Sequence, residues 1–435
     1  MEQFTTELQE IAARIFATRH SDDPFVPGES KVPVTGKFFG AEEIQAGMLA
    51  LSDFWLTSGP CTETFEKMLA RQVSVRHALM VNSGSSANLV AISTLMSMRL
   101  GDRRLVPGDE VITVAAGFPT TVAPIIQNGL VPVYVDVDLG TYVANSEALE
   151  AAVGPRTRAI MMAHTLGNPF NLEIVQSLVD KHDLWLIEDN CDGLGGTYQN
   201  QSLGSFGDMS TLSFYPAHHI TTGEGGAVLT RRAALKPIIE SIRDWGRDCW
   251  CQPGHDNTCM KRYQWTLGDL PHGYDHKYTY SHLGYNLKSG DVQAAIGVEQ
   301  LKRLSWFIER RRDNWHYLRS GLDDLSHFLL LPSETEKSCP SWFGFAILVK
   351  KESPVSRNDL VQHLNSRNIG TRLLFAGNLI RQPAFLNTPR RIVGSLENSD
   401  QVMEQVFWIG VWPGITRQML DFVIGEIHSI LEAND

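Results

Sequence analysis

Long apolar runs are missing from this chain: no stretch of about eighteen apolar residues occurs, and a helix needs roughly that length to cross a bilayer. No membrane partner is therefore expected. The start, Met1-Glu2-Gln3-Phe4, has neither the basic residues nor the apolar block of a secretory signal. Glu7 and Glu10 among spaced apolar positions suit an amphipathic helix instead, and the expected location is the cytoplasm. Basic residues are in the minority, with 38 Lys and Arg against 49 Asp and Glu and a net charge of −11. Nucleic-acid binding needs clustered cations to neutralise phosphates, so no nucleic-acid partner is expected either. Cysteine is scarce, six in 435 residues, which is too few for a disulfide scaffold. Internal repeats and low-complexity tracts are absent.

What is present is an alternation. Short apolar runs at 77–81, 110–114, 131–137, 159–164, 185–189, 211–214 and 227–230 read as strands. Segments 85–100 and 172–182 between them carry the 3.6-residue period of crossover helices. Strands alternating with helices imply an α/β fold with a mostly parallel sheet covered on both faces, with function at the carboxyl ends of the strands. A chain of this length exceeds what one core usually serves. The expected division is an N-terminal helical segment over 1–36, a large domain over 37–305 and a smaller C-terminal α+β domain over 306–435. Within the large domain, 247–285 breaks the pattern, being rich in Gly, Pro, Cys, Tyr and His; so long an irregular stretch in a compact domain is usually functional. Beyond it, 291–322 reads as one long helix, 345–349 as a strand and 419–431 as a helix.

Three strand ends carry chemistry. Asn82-Ser83-Gly84-Ser85-Ser86-Ala87-Asn88 lies between a strand and a helix, where N–H groups and hydroxyls converge and a phosphate is favoured; taken alone, such a turn is often only a turn. Trp185-Leu186-Ile187-Glu188-Asp189 ends an apolar strand in carboxylates, suited to a protonated ring nitrogen or, more blandly, to a cap or a loop ion pair. Ser213 ends a third strand and is followed by His218-His219 and by Gly223-Glu224-Gly225-Gly226, whose glycines permit close backbone packing. Cysteines cluster too: Cys249, Cys251 and Cys259 crowd together, and Cys191 lies just past Asp189. That grouping favours a metal site in a reducing compartment.

On these stretches, together with Asp53-Phe54-Trp55-Leu56-Thr57-Ser58-Gly59, Gly284-Tyr285-Asn286-Leu287 and Arg372-Leu373-Leu374-Phe375, the chain resembles the sugar aminotransferase and dehydrase group of fold-type-I pyridoxal phosphate enzymes. Within that group it resembles the nucleotide-sugar 4-keto-6-deoxyhexose 3-dehydrases, over nearly the whole chain. The resemblance implies the aspartate-aminotransferase-like fold, with the large domain binding pyridoxamine 5'-phosphate (PMP). It implies that Gly84, Ser85 and Ser213 hold the phosphate, that Asp189 meets the pyridine nitrogen and that Phe118 stacks on the ring. Asn286 is implied to reach the phosphate of a neighbouring subunit, which makes the protein a homodimer. His164, before Gly167-Asn168-Pro169, is a further residue near the strand ends.

The aminotransferases of this group carry a lysine where this chain has His218. Imidazole forms no Schiff base with the cofactor but moves protons near neutral pH, so His218 is the expected base and free PMP the expected cofactor form. By the same resemblance Cys191, Cys249, Cys251 and Cys259 hold a [2Fe-2S] cluster; zinc, with His255 as a further ligand, is the chemical competitor. Cys61 and Cys339 read as ordinary thiols. The implied activity is reductive removal of the C3 hydroxyl from a nucleotide-linked 4-keto-6-deoxyhexose, with Asp192, Tyr215 and Phe343 shaping the sugar side and Arg372 a candidate for the diphosphate. No dinucleotide fingerprint in a fitting context is evident, so the electrons are expected from a separate NAD(P)H-dependent reductase. A cluster-free 3-dehydrase using glutamate, an ordinary sugar aminotransferase and a non-catalytic cluster-binding regulator are the competing readings.

Overall fold

The apolar runs become strands because both of their faces are covered: every residue of Glu110–Val114, Trp185–Asp189 and Gly226–Thr230 is buried, as a sheet sandwiched between helices requires. The computed structural model describes residues 2–20, 24–251 and 254–433, so Met1 and residues 21–23 of the expected N-terminal segment, and Gln252 and Pro253 of the insert, lie outside it. Among the described residues the strands form an eight-stranded sheet. Its order is His77–Val81, Gly226–Thr230, Met209–Ser213, Trp185–Asp189, Thr157–Ala163, Glu110–Val114, Val131–Val135 and Arg391–Ile392. All pairings from Met209–Ser213 to Arg391–Ile392 are parallel, while Gly226–Thr230 runs antiparallel to both of its neighbours.

Local chemistry starts and stops the crossover helices. Ser83 caps Gly84–Leu95 by accepting from the Ser86 N–H at 3.0 Å. Asn171 caps Leu172–His182, which ends at Asp183 in the left-handed conformation. Both helices leave from strand carboxyl ends, which is where the candidate residues gather.

A second sheet, Leu329–Leu330, Gly344–Val349 and Val406–Gly410, is antiparallel. Its two-residue alternation divides the side chains. Phe345, Ile347, Phe407 and Ile409 pack with Leu420, Val423 and Ile427 of the helix Arg417–Glu432. Ala346, Leu348 and Trp408 join the core that contains Ile112, Val133 and Ile160 of the large sheet. The two sheets thus share apolar packing, and Trp408 reaches the candidate site from the small one.

Three details differ from expectation. Residues 291–322 form two helices, Asp291–Lys302 and Leu304–Gly321, broken at Arg303; its guanidinium pairs with Glu42 and Glu43 of the helix Ala41–Ser52, a long-range tie that no local periodicity reports. The strand expected over 131–137 ends at Val135, and Val137 instead pairs with Ala144 in an isolated bridge. Arg391–Ile392, from the stretch expected in the small domain, adds itself to the edge of the large sheet, anchored by Arg391 Nη2 on the buried Glu110 carboxylate at 2.7 Å. Among the described residues, no helix is long and apolar enough to cross a membrane.

Candidate active site

The carboxyl ends of three strands and the start of one helix enclose a cavity of about 450 Å³. Gly84, Ser85, Phe118, Asp189, Cys191, Asp192, Ser213, Tyr215, His218, Phe343 and Arg372 all line it. Of the residues expected at the cofactor, only Asn286 stands apart; it is exposed, with its backbone bridged to Asp244.

Gly84 opens the anion end. A Cβ there would lie 2.5 Å from Ser213 Cβ, 3.0 Å from Ser213 Oγ and 3.1 Å from Cys191 Sγ, so only glycine allows the helix start to approach the Ser213 strand this closely. The result is a cradle of hydroxyls and free N–H groups at a helix N-terminus, the arrangement that suits a phosphate.

Asp189 closes the opposite wall. Its Oδ2 accepts from Asn88 Nδ2 at 2.8 Å and Thr121 Oγ1 at 2.7 Å, and Asn88 in turn accepts from Thr211 Oγ1 at 2.6 Å. Its Oδ1 accepts a long hydrogen bond, 3.3 Å, from the Cys191 N–H, and the Cys191 thiol lies beside the same carboxylate. One carboxylate oxygen is therefore fixed by the protein, leaving the other with capacity for a donor from the cavity. Phe118, which precedes the helix Pro119–Gln127, is 47% exposed and meets Phe375 edge-to-face, so its ring stands at the mouth. A phosphate cradle, a buried carboxylate and an aromatic edge around one cavity fit a pyridoxal-type cofactor. Asn88 and Thr121, which hold Asp189, were not singled out by sequence reasoning, although Asn88 stood in the quoted turn.

His218 forms the third side. Its ring is tilted against Phe343 at a centroid distance of 5.1 Å, and its Nδ1 lies 3.5 Å from Asp192 Oδ1 without a hydrogen-bond partner. Burial, and then the Arg311 guanidinium, push His218 down to about 4. Burial, and then Asp189, push the Asp192 carboxyl up to about 8. The two shifts agree: at neutral pH a neutral imidazole faces a neutral carboxyl, which leaves the imidazole free to accept a proton. Burial and Asp189 also raise the Cys191 thiol well above its ordinary value. His164 is not part of this cavity; it is buried, stacks on Phe170 and bonds Glu188 at 3.0 Å, and Glu188 also accepts from the N–H groups of Gly204, Phe206 and Gly207. That pair ties strand to loop.

The four cysteines expected to share one metal are not brought together. Cys191 sits in the cofactor cavity, whereas Cys249 and Cys251 line a separate cavity of about 620 Å³ together with Cys61, Trp55 and Asp291. Thr258 Oγ1 donates to Cys251 Sγ at 3.1 Å, and the Cys251 N–H approaches Cys249 Sγ at 3.5 Å. The insert is tied to the rest of the protein by Asp248, which pairs with Arg99, and by His282, which bonds Ser97 at 2.6 Å and Ser241 at 2.8 Å; within the insert Asp248 also bonds His276 and Ser281. Gly254 packs close against the Trp55 ring. Among the described residues, no group of three or more His, Cys, Asp or Glu is arranged to hold a metal ion. The residues present therefore do not fit a four-thiolate cluster in this arrangement.

Comparison with known proteins agrees with the geometry. The profile of the DegT/DnrJ/EryC1/StrS aminotransferase family matches residues 39–428. The chain is 56% identical over 428 residues to the lipopolysaccharide biosynthesis protein RfbH of Salmonella typhimurium, covering 98% of each chain. It is 54% identical to dTDP-4-dehydro-2,6-dideoxy-D-glucose 3-dehydratase of Saccharopolyspora spinosa, covering 94% of this chain and 88% of that one. The solved structure of Escherichia coli GDP-4-keto-6-deoxy-D-mannose-3-dehydratase with bound hydrated PLP superposes with a TM-score of 0.82 at 30% identity, covering 91% of this chain and 98% of that one. The fold is the fold-type-I, pyridoxal-phosphate-dependent aminotransferase-like one, and the chain belongs to the DegT/DnrJ/EryC1/StrS aminotransferase family.

Proposed function

We propose that this protein is a PMP-dependent nucleotide-sugar 3-dehydratase that removes the C3 hydroxyl of a nucleotide-linked 4-keto-6-deoxyhexose in deoxysugar biosynthesis. One observation carries the reading: a histidine, with no lysine, lines the cavity formed by the phosphate cradle and the Asp189 carboxylate. A site without a lysine has no amine to anchor the cofactor covalently, whereas a histidine that is unprotonated at neutral pH has a ring nitrogen that can take a proton. The 54% identity to a dTDP-sugar 3-dehydratase supports the same class.

When bound, PMP would supply a free amine for the C4 ketone and a conjugated ring as an electron sink. The chain's own residues do the rest. Gly84, Ser85 and Ser213 hold the phosphate, and Asp189, fixed through one oxygen by Asn88 and Thr121, offers the other to the pyridine N–H. Phe118 covers one ring face. His218 takes the proton from the C4′ carbon, while Asp192, Tyr215 and Phe343 bound the sugar side and Arg372 at the rim faces the diphosphate. Asn286 completes the phosphate site of a second copy in a homodimer, consistent with its exposure here.

Net replacement of the C3 hydroxyl by hydrogen consumes two electrons. Their delivery by a separate NAD(P)H-dependent reductase, through a [2Fe-2S] centre on Cys191, Cys249, Cys251 and Cys259, is the reading that the cysteine content favours. The separation of Cys191 from the insert cysteines favours a second one, in which no cluster takes part: PMP would give up the two electrons and end as PLP, and glutamate, oxidised to 2-oxoglutarate, would restore the amine. Anaerobic purification followed by iron and sulfide assays and electron paramagnetic resonance separates the two. A reducible signal lost in Cys251→Ser supports the cluster; metal-free protein that turns over with glutamate supports the second reading.

A further inference from the structure

Among the described residues Arg311 is the largest fully buried side chain, 1% exposed, in the middle of the helix Leu304–Gly321. Taking a guanidinium out of water costs several kcal/mol, about as much as an excellent ion pair restores. Arg311 has no such pair: among the described residues, no carboxylate lies within ion-pair distance of it. Its Nη1 donates to the Trp342 carbonyl at 3.1 Å and its Nη2 to the His218 carbonyl at 3.2 Å, and Nε has no partner. A hydrophobic side chain of similar length would avoid the desolvation cost but leave both carbonyls without this donor, so filling space alone does not explain the arginine.

What it joins does. The segment before the strand Gly344–Val349 makes few regular ladder bonds, and side-chain donors hold its carbonyls one after another. Arg312 takes Cys339 at 2.9 Å and Pro340 at 2.8 Å. His219 Nε2 takes Ser341 at 2.8 Å, and Arg311 takes Trp342. Only Arg311 binds this segment and the His218 main chain with the same planar group. Phe343, the next residue, is the ring against which the His218 imidazole leans, and the guanidinium lies 6.0 Å from that ring's centre.

Resting on the reading of His218 as the base, we infer that Arg311 is a positioning residue: its fork locks the His218 main chain to the Trp342–Phe343 segment and so sets the imidazole's direction in the cofactor cavity. The rigid fork matters, because a lysine supplies charge without two coplanar donors. Displacing a reacting group by about 1 Å costs on the order of a hundredfold in rate.

The test compares PMP-loaded wild type, Arg311→Met and Arg311→Lys for C3 deoxygenation, PMP affinity and melting. The expected result is a fall in kcat of about a hundredfold in Arg311→Met and about tenfold in Arg311→Lys, with KM and PMP affinity little changed. Wild-type kcat in folded Arg311→Met, or losses confined to KM and PMP affinity, would overturn the inference; if that variant fails to fold, Arg311→Lys decides on the same criteria. The second readout is the ring resonance of His218 in protein labelled with carbon-13 histidine, assigned by its absence from His218→Asn. It must move in Arg311→Lys, and an unmoved resonance overturns the inference. Should wild type leave every nucleotide sugar unchanged, the functional reading falls, and the resonance still decides the role of Arg311.

Discussion

Gly84→Ala tests the phosphate cradle with a single methyl group. The added Cβ would stand 2.5 Å from Ser213 Cβ and 3.1 Å from Cys191 Sγ, whereas carbon atoms rest comfortably at about 3.5–4.0 Å. Roughly 1 Å of room is therefore needed, and neither neighbour is the free end of a flexible chain. Ser213 ends a sheet strand, and Cys191 is packed behind Asp189. The helix start must tilt away, which opens the cradle and withdraws at least one donor from the phosphate. A hydrogen bond to a charged group contributes about 1.5–3 kcal/mol, so PMP affinity should fall roughly ten- to a hundredfold. Titration of apo wild type and variant with PMP, followed by tryptophan fluorescence, measures this, with melting curves to confirm that both are folded. A folded variant with the wild-type dissociation constant would refute the assignment of this turn as the phosphate site.

Asp189→Asn should fold, because its amide oxygen still accepts from Asn88 and Thr121, but it turns an N–H2 toward the ring nitrogen. Activity should drop by about a hundredfold or more, the scale seen when one charge-stabilising group is lost, and unaltered steady-state rates would contradict that role. His218→Lys should acquire a pyridoxyl-lysine mass at residue 218 after incubation with PLP and borohydride, and wild type should not; a variant without the adduct would place residue 218 out of reach of the cofactor. His428, on the helix Arg417–Glu432, reaches the Gly321 carbonyl at the end of Leu304–Gly321 and Asp324 just beyond it, and also pairs with Glu432 on its own helix. Burial pulls its pKa down, but these partners outweigh burial and raise it overall. A raised folded pKa stabilises fully below the unfolded value of about 6.5 and loses that contribution as pH rises through the folded value. The melting difference between wild type and His428→Gln should therefore be largest in mild acid and shrink in base; a difference that grows with pH would contradict the assignment.

Seven of the eight strands of the large sheet were legible because each is a short apolar run between turn residues; Gly84, Asp189 and Ser213 stood out at the ends of those runs, and His218 through the resemblance. What sequence could not show depends on residues that meet only in the fold. Arg303, at the break, pairs with Glu42 and Glu43, some 260 residues upstream. Arg391–Ile392 joins a strand from far upstream because Arg391 finds Glu110. Asn88 and Thr121 gain their role only when Asp189 arrives between them, and Arg311 reads in sequence as one basic residue in Arg310-Arg311-Arg312, with nothing to mark it as the buried one. Cysteine spacing, in turn, is blind to where the insert docks: Asp248 meets Arg99, His282 meets Ser97 and Ser241, and Gly254 packs against Trp55 on the Cys61 side.

The central claim is tested most directly by mass spectrometry of the nucleotide sugar. Anaerobically purified protein with PMP is incubated with dTDP-, GDP- and CDP-linked 4-keto-6-deoxyhexoses, with either a reduced electron donor or glutamate. The account predicts a 4-keto product that lacks the C3 oxygen, formed by wild type and absent with His218→Asn. An aminated sugar that keeps its C3 oxygen, formed with glutamate, would contradict it and make the protein an aminotransferase.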